Sequence, residues 1–163
     1  MWKTDMKTGT NTPIIIQDNF LSVEECNKLI EFYKSQPTPE KYYTSYPILL
    51  IPKEHKSLTE KITKFSMKVN NSMIDYFHIV KWPYFNLGQE LHLDVPVDKI
   101  TLSSIIYLND NYEGGYTYFK DGTRIAPVVG RAIFFDGCNY SHGVSHIDKN
   151  DRYTIAIWMK KIQ

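Results

Sequence analysis

The chain is short of the residues that mark several protein classes. Only two cysteines occur in 163 residues, Cys26 and Cys138, and they form no C-x-x-C. That is too few for a disulfide framework and fits a reducing compartment. Neither sign of charge is in excess. Nineteen Lys and Arg against 18 Asp and Glu leave a net charge of +1 with no basic block, so no nucleic-acid partner is expected. Long apolar runs are also missing. The opening MWKTDMKTGTNTP lacks an apolar signal core, and no stretch reaches membrane-spanning length. The expectation is a cytoplasmic protein with no membrane partner. There is no HExxH and no paired-carboxylate pattern, which leaves a metallohydrolase without its general base. No repeat, linker or low-complexity segment divides the chain.

What is present is a globular composition rich in aromatics, with 42% hydrophobic and 23% charged residues, 12 Tyr and 8 Phe. The length suits one domain spanning residues 1–163. Pro13 and the isoleucines after it read as a short strand. In LSVEECNKLIEFYKSQP, Ser22 and Glu25 make a capping box, and Cys26, Leu29, Ile30 and Tyr33 form a helical stripe that ends near Pro37. YPILLIP reads as a strand. SLTEKITKFSMKVNNSMIDYF reads as a second helix, with a capping box from Ser57 and Glu60 and a stripe of Leu58, Ile62, Phe65, Val69 and Met73. From Ile79 onward the helical period stops. HIVKWPYF, ELHLDVPV, TLSSIIYLND, YTYFKDGTRI, GRAIFFDG and RYTIAIWMKKI are short strands between turn residues, with Asp121-Gly122 marking a hairpin. Helices followed by many strands suggest a mainly β, α+β fold: a jelly roll or sandwich buttressed by two N-terminal helices.

Three metal patterns compete in this frame. His92-Leu93-Asp94 and His146-Ile147-Asp148 are H-x-D triplets, and His142 with His146 makes an H-x-x-x-H. His92 and Asp94, two apart in a segment of strand character, point to one face and can converge on one ion. Two histidines and one carboxylate leave half an octahedron open, as ferrous oxygenases require. H-x-x-x-H binds zinc when a helix stacks both rings, and Gly143 with Val144 between them disfavours that helix. Along RYTIAIWM, Arg152, Thr154, Ala156 and Trp158 face one way and Tyr153, Ile155, Ile157 and Met159 the other. An arginine and a hydroxyl on one inward face suit a carboxylate ligand, because an unpaired buried charge is costly. Thr101, Ser103, Ile105 and Tyr107 share a face in the same way, and Tyr107 and Tyr84 are phenols that could reach the same carboxylate.

The order of these elements resembles the iron(II)/2-oxoglutarate-dependent dioxygenases, in particular their prolyl 4-hydroxylase-like branch. The resemblance is carried by IIIQDNFLSVEEC, WPYFNLGQELHLD, ITLSSIIYLNDNYEGGYTYF, the turn at Pro127 to Gly130 with GRAIFF, and HGVSHIDKNDRYTIAIW. It implies a double-stranded β-helix core from about residue 79 to 163, with His92, Asp94 and His142 as iron ligands. It also implies that Arg152 takes the far carboxylate of 2-oxoglutarate, helped by Tyr107 and Thr154, with Tyr84 a further cosubstrate-binding candidate from its position eight residues before His92. His142 rather than His146 is implied because the family's distal histidine follows the strand ending in FF and precedes a valine by two residues. His146 and Asp148 are then loop residues, with His146 near the mouth of the site. The cosubstrates implied are 2-oxoglutarate and dioxygen, with ascorbate as an accessory reductant.

The implied chemistry is oxidative decarboxylation to succinate and carbon dioxide, coupled to hydroxylation of an unactivated C–H bond. The leading substrate is a prolyl residue in a peptide or protein. The alternatives are a free amino acid or other small molecule, and a non-catalytic jelly-roll binding module. Arginine at 152, where collagen-type relatives usually carry lysine, resembles the oxygen-sensing prolyl hydroxylases and several bacterial relatives. Asp94 disfavours the halogenating variants, which lack this carboxylate. The loops around residues 41–46, 85–90 and 112–116 are expected to choose the substrate.

Overall fold

The computed structural model describes residues 2–6, 13–95 and 99–162. Strand β1 (Trp2–Met6) pairs with β2 (Pro13–Gln17). Helix α1 (Val23–Ser35) follows, then β3 (Tyr46–Leu49), a 3-10 turn over Pro52–Glu54 and helix α2 (Lys56–Asn70). The rest is strand: β4 (Ser72–Trp82), β5 (Gln89–His92), β6 (Ile100–Tyr107), β7 (Glu113–Gly114), β8 (Thr117–Phe119) and β9 (Arg124–Ile125). After these come β10 (Ala132–Phe135), β11 (His142–Val144), β12 (Ile147–Asp148) and β13 (Arg152–Lys161).

These strands form an antiparallel seven-stranded sheet in the order β1-β2-β10-β6-β13-β4-β3, facing a four-stranded sheet, β5-β11-β8-β9. A short β12-β7 ladder lies beside them. The mainly β jelly roll with two flanking helices is the architecture expected. No helix among the described residues is long and apolar enough to cross a membrane.

Strand alternation sets the layers. On β13, Tyr153, Ile155, Ile157 and Met159 pack with Cys26 and Tyr33 of α1 and Leu58, Ile62 and Phe65 of α2. The opposite face of the large sheet supplies Ile14, Ile16, Tyr107, Ile133 and Phe135, which meet Phe119, Ile125 and Tyr140 from the small sheet's side. Phe65 stacks on Phe134 at 4.4 Å, joining helix to sheet with a large dry contact.

The capping box of α1 is present: Ser22 Oγ accepts from Glu25 N–H, and the Glu25 carboxylate accepts from Ser22 N–H, each at 3.0 Å. The box expected at Ser57 is not. Pro52 opens a 3-10 turn that runs directly into α2, so the N-cap is His55 and Ser57 already lies in the first turn. Helix α2 stops at Asn70 because Asn71 takes the left-handed conformation (φ 57°), which puts Met73 on β4 and exposes it. The Asp121-Gly122 hairpin joins β8 to β9, with Phe119 N–H donating to Thr123 at 2.9 Å. Two expectations need correction. Asp148 is in strand β12, paired with Glu113 of β7, and is not a loop residue. The strand read through ELHLDVPV ends at His92, and its Pro96 and Val97 lie outside the described residues.

Candidate active site

Strands β5 and β11 pair with His92 opposite His142, so the register itself places the two imidazoles side by side, 4.5 Å between ring centres. Asp94 lies two residues past the end of β5. Its backbone N–H donates to the Gly137 carbonyl at 2.8 Å, which turns the chain back toward the loop after β10. The Asp94 Oδ1 atom is 3.5 Å from His142 Nε2 and 3.8 Å from His92 Nε2. One ligand atom from each residue lies within 4.8 Å of the others, the only such trio of His, Cys, Asp or Glu among the described residues. His146 is exposed and outside it, and its side chain does not line the cavity mouth.

The surroundings of the trio prepare it for a cation. His92 Nδ1 faces the Glu90 carbonyl and His142 Nδ1 faces the Tyr140 carbonyl, both at 2.9 Å. A carbonyl only accepts, so in each neutral ring Nδ1 carries the proton and Nε2 presents its lone pair toward Asp94. Burial chiefly, and the neighbouring His142, hold the His92 imidazole below its ordinary pKa, which favours that neutral form. Burial raises the Asp94 carboxyl, but His142, Ser103 and Trp158 more than offset it and hold it below the usual carboxylate range. Ser103 donates to Asp94 Oδ2 at 2.5 Å and leaves Oδ1 for a ligand.

The glycine at 137 is required by this packing, since a Cβ there would stand 2.1 Å from Asp94 Oδ2 and 2.3 Å from Ser103 Oγ. Ser103 and Gly137 were not assigned roles from sequence. The inward face of β6 was legible, but its contact with Asp94 depends on the fold. Ser103→Ala is expected to weaken metal binding about 10- to 100-fold while the fold persists, the usual cost of losing an outer-sphere partner. Metal titration followed by a thermal melt checks this.

The trio opens into a cavity of about 300 Å3 between the sheets. Arg152, only 1% exposed, lines it, and its Nη2 is buried with no hydrogen-bond partner. Nε donates to the Gly115 carbonyl at 3.1 Å, and Cζ lies 5.5 Å from the ring centres of Trp82 and Tyr107. Thr154 lines the cavity beside Arg152, as the alternation on β13 anticipated. Tyr107 is fully buried next to Arg152 but behind the cavity wall, with its hydroxyl bonded to that of Thr117, which does line the cavity. Tyr84 does not belong to the site. Strand β4 ends at Trp82 and Pro83 breaks the alternation, so Trp82 takes the inward place over Arg152 while Tyr84 is half exposed against Phe85. The cavity also carries residues that no motif announced: His78, and Tyr76 stacked on Trp158 at 4.7 Å.

A jelly roll holding two histidines, one carboxylate and a buried unpaired arginine in one cavity defines an oxygenase-type metal centre. Residues 81–160 match the family model of the 2OG-Fe(II) oxygenase superfamily. The matched span contains His92, Asp94, His142 and Arg152. A 63-residue stretch is 38% identical to prolyl 3-hydroxylase 1 of Gallus gallus, covering 34% of this chain but only 9% of that much longer protein. Among solved structures, the viral collagen prolyl hydroxylase of Paramecium Bursaria Chlorella virus-1, bound to 2OG, superposes with a TM-score of 0.74 at 21% identity. That match covers 91% of this chain and 96% of the viral one. A Trichoplax adhaerens prolyl hydroxylase, in complex with a hypoxia inducible factor peptide, superposes with a TM-score of 0.77 at 20% identity over 91% of this chain and 83% of its own. At these identities the structural likeness speaks to the fold.

Proposed function

We propose that the chain is an Fe(II)- and 2-oxoglutarate-dependent hydroxylase of a prolyl residue in a peptide or protein. The observation that carries the reading is the pairing, in one cavity, of the His92–Asp94–His142 trio with the buried, unsatisfied Arg152. His92, Asp94 and His142 would hold the iron. Arg152 would hold the far carboxylate of 2-oxoglutarate, with Thr154 beside it and Tyr107 supporting it from behind. The donor set fits: neutral nitrogens and one carboxylate suit a divalent ion, and a guanidinium without a counter-ion suits a dicarboxylate. When bound, iron and 2-oxoglutarate supply the oxidising power that places one atom of dioxygen on the substrate carbon and the other in succinate, with release of carbon dioxide. The chain's own residues bind, orient and keep the centre dry: Trp82, Val80, Ala156 and Ile105 supply apolar wall.

The cavity is at the small end of ligand pockets. With a dicarboxylate inside, it can admit one side chain, and the remainder of the substrate must lie outside. The rim suits such a substrate. Tyr42 lines the cavity and is 61% exposed, Tyr43 follows it in the chain and is also exposed, and Leu93 and Val95 continue the apolar surface. The rim is also preorganised. Asn86 donates to the Thr44 carbonyl at 2.6 Å, Thr44 Oγ1 donates to the Gly88 carbonyl at 2.9 Å, and Asn86 and Ile147 exchange backbone hydrogen bonds. Tyr43 and Phe85 hold positive φ (54° and 59°), strain of the kind concentrated at functional surfaces.

The test supplies Fe(II), 2-oxoglutarate and ascorbate with either a pool of proline-centred peptides or free L-proline, reading succinate and oxygen incorporation by mass spectrometry. Oxygen on peptidyl proline is expected. Incorporation into the free amino acid alone would favour a small-molecule enzyme, and absence of succinate would favour a binding module.

A further inference from the structure

Several groups hold the Arg152 guanidinium, and one beside it stands unused. Gly115 accepts from Nε, and the Trp82 and Tyr107 rings flank Cζ, but Nη2 donates to nothing. The Tyr112 hydroxyl is likewise buried without a partner. Gly115 brings the two side chains together. A Cβ on it would stand 2.6 Å from Tyr112 Cε2 and 3.1 Å from Arg152 Cδ, so ring and arginine stem close on the same bare Cα. The Tyr112 ring also packs against the cluster of Val80, Trp82, Ile147 and Ala156, which fixes its plane. Burial pushes its phenol well above the ordinary range, while the charge and the N–H of the adjoining Arg152 pull the other way, so the group stays neutral and faces a donor that it does not yet meet in hydrogen-bond geometry. Tyr107 is differently placed, since its hydroxyl already bonds Thr117.

We propose that Tyr112 is a positioning residue for the cosubstrate: its phenol oxygen accepts the Nη2 proton when a dicarboxylate draws the guanidinium into line, leaving the remaining N–H edge to the far carboxylate. This rests on Arg152 being the carboxylate anchor. Two unsatisfied buried polar groups side by side are costly, and a single adjustment satisfies both. The loop between β6 and β7 thereby becomes part of the cosubstrate site, although Tyr112 belongs to neither the metal trio nor the strand that carries Arg152.

Tyr112→Phe removes the oxygen and keeps the ring against Gly115. The Mn(II)-loaded protein, free of oxygen, is titrated calorimetrically with 2-oxoglutarate and with 2-oxopentanoate, in which a methyl group replaces the far carboxylate. The variant is expected to bind 2-oxoglutarate about ten- to a hundredfold more weakly, the loss of one hydrogen bond to a buried charge. Its Mn(II) affinity, melting temperature and 2-oxopentanoate binding are expected to match wild type. Unchanged 2-oxoglutarate binding would overturn the proposal, and so would a loss shared by Mn(II) or 2-oxopentanoate, which would mark a packing role. Failure of the wild type itself to bind 2-oxoglutarate would instead remove the Arg152 reading on which the proposal stands.

Discussion

His142→Ala is expected to abolish iron-dependent 2-oxoglutarate turnover, whereas His146→Ala is expected to leave it within about twofold of wild type, as for an ordinary surface change. His142 is buried in register with His92, with its Nδ1 proton committed to the Tyr140 carbonyl and Nε2 turned to Asp94. Removing it leaves one histidine and one carboxylate, too few to hold the ion in the face-capping arrangement that frees positions for cosubstrates. His146 is exposed four residues on, and its backbone carbonyl, which accepts from Gly115 N–H, survives the substitution. The check is anaerobic titration of iron(II) and 2-oxoglutarate, following the weak visible band of the chelate. A band that vanishes in His146→Ala and persists in His142→Ala would reverse the ligand assignment.

The second large effect is at Arg152. Arg152→Met is expected to weaken 2-oxoglutarate binding by about 10²- to 10³-fold, the scale of removing one partner of a buried charge pair. Metal affinity should hold, since the arginine touches none of the three ligands in the described contacts. The stability of the ligand-free protein should move the other way or not at all. Arg152 is 1% exposed and its Nη2 unsatisfied, so the unliganded fold carries a desolvation cost that an unbranched apolar side chain removes. A melt of wild type and variant with and without 2-oxoglutarate separates the two effects: the wild type gains stability on adding ligand, and the variant does not. A large drop in the variant's unliganded melting temperature would mean that Arg152 is a structural residue satisfied from within the chain.

These two expected results divide the proposed site into a metal end and a carboxylate end, built from different parts of the chain. The metal end is made by two short strands of the small sheet and a loop. The carboxylate end projects from β13, a central strand of the large sheet flanked by β4 and β6. A central strand is the stiffest place to mount a charged group, because both of its edges are hydrogen-bonded.

Much of this was present in local sequence. The stripe of α1 and its Ser22–Glu25 box, the Asp121-Gly122 hairpin and the alternation of β13 and β6 are decided by residues a few positions apart, where helical and extended periods act directly. Alternation put His92 with Asp94, and Arg152 with Thr154, on single faces, and the family resemblance added His142 to them. The amino acids alone also settled that the chain has no disulfide framework. What only the tertiary structure decided concerns partners far apart in the chain. The resemblance already implied His142 over His146, but the β5–β11 register that sets it opposite His92 came from the fold, and placing Tyr84 outside the cavity required knowing where Pro83 ends β4. The start of α2 at His55 depended on the turn opened by Pro52. Ser103 beneath Asp94, Gly137 against both and Tyr112 beside Arg152 come from contacts across loops and sheets. Periodicity tells which way a side chain faces; only the closed barrel determines what it meets there.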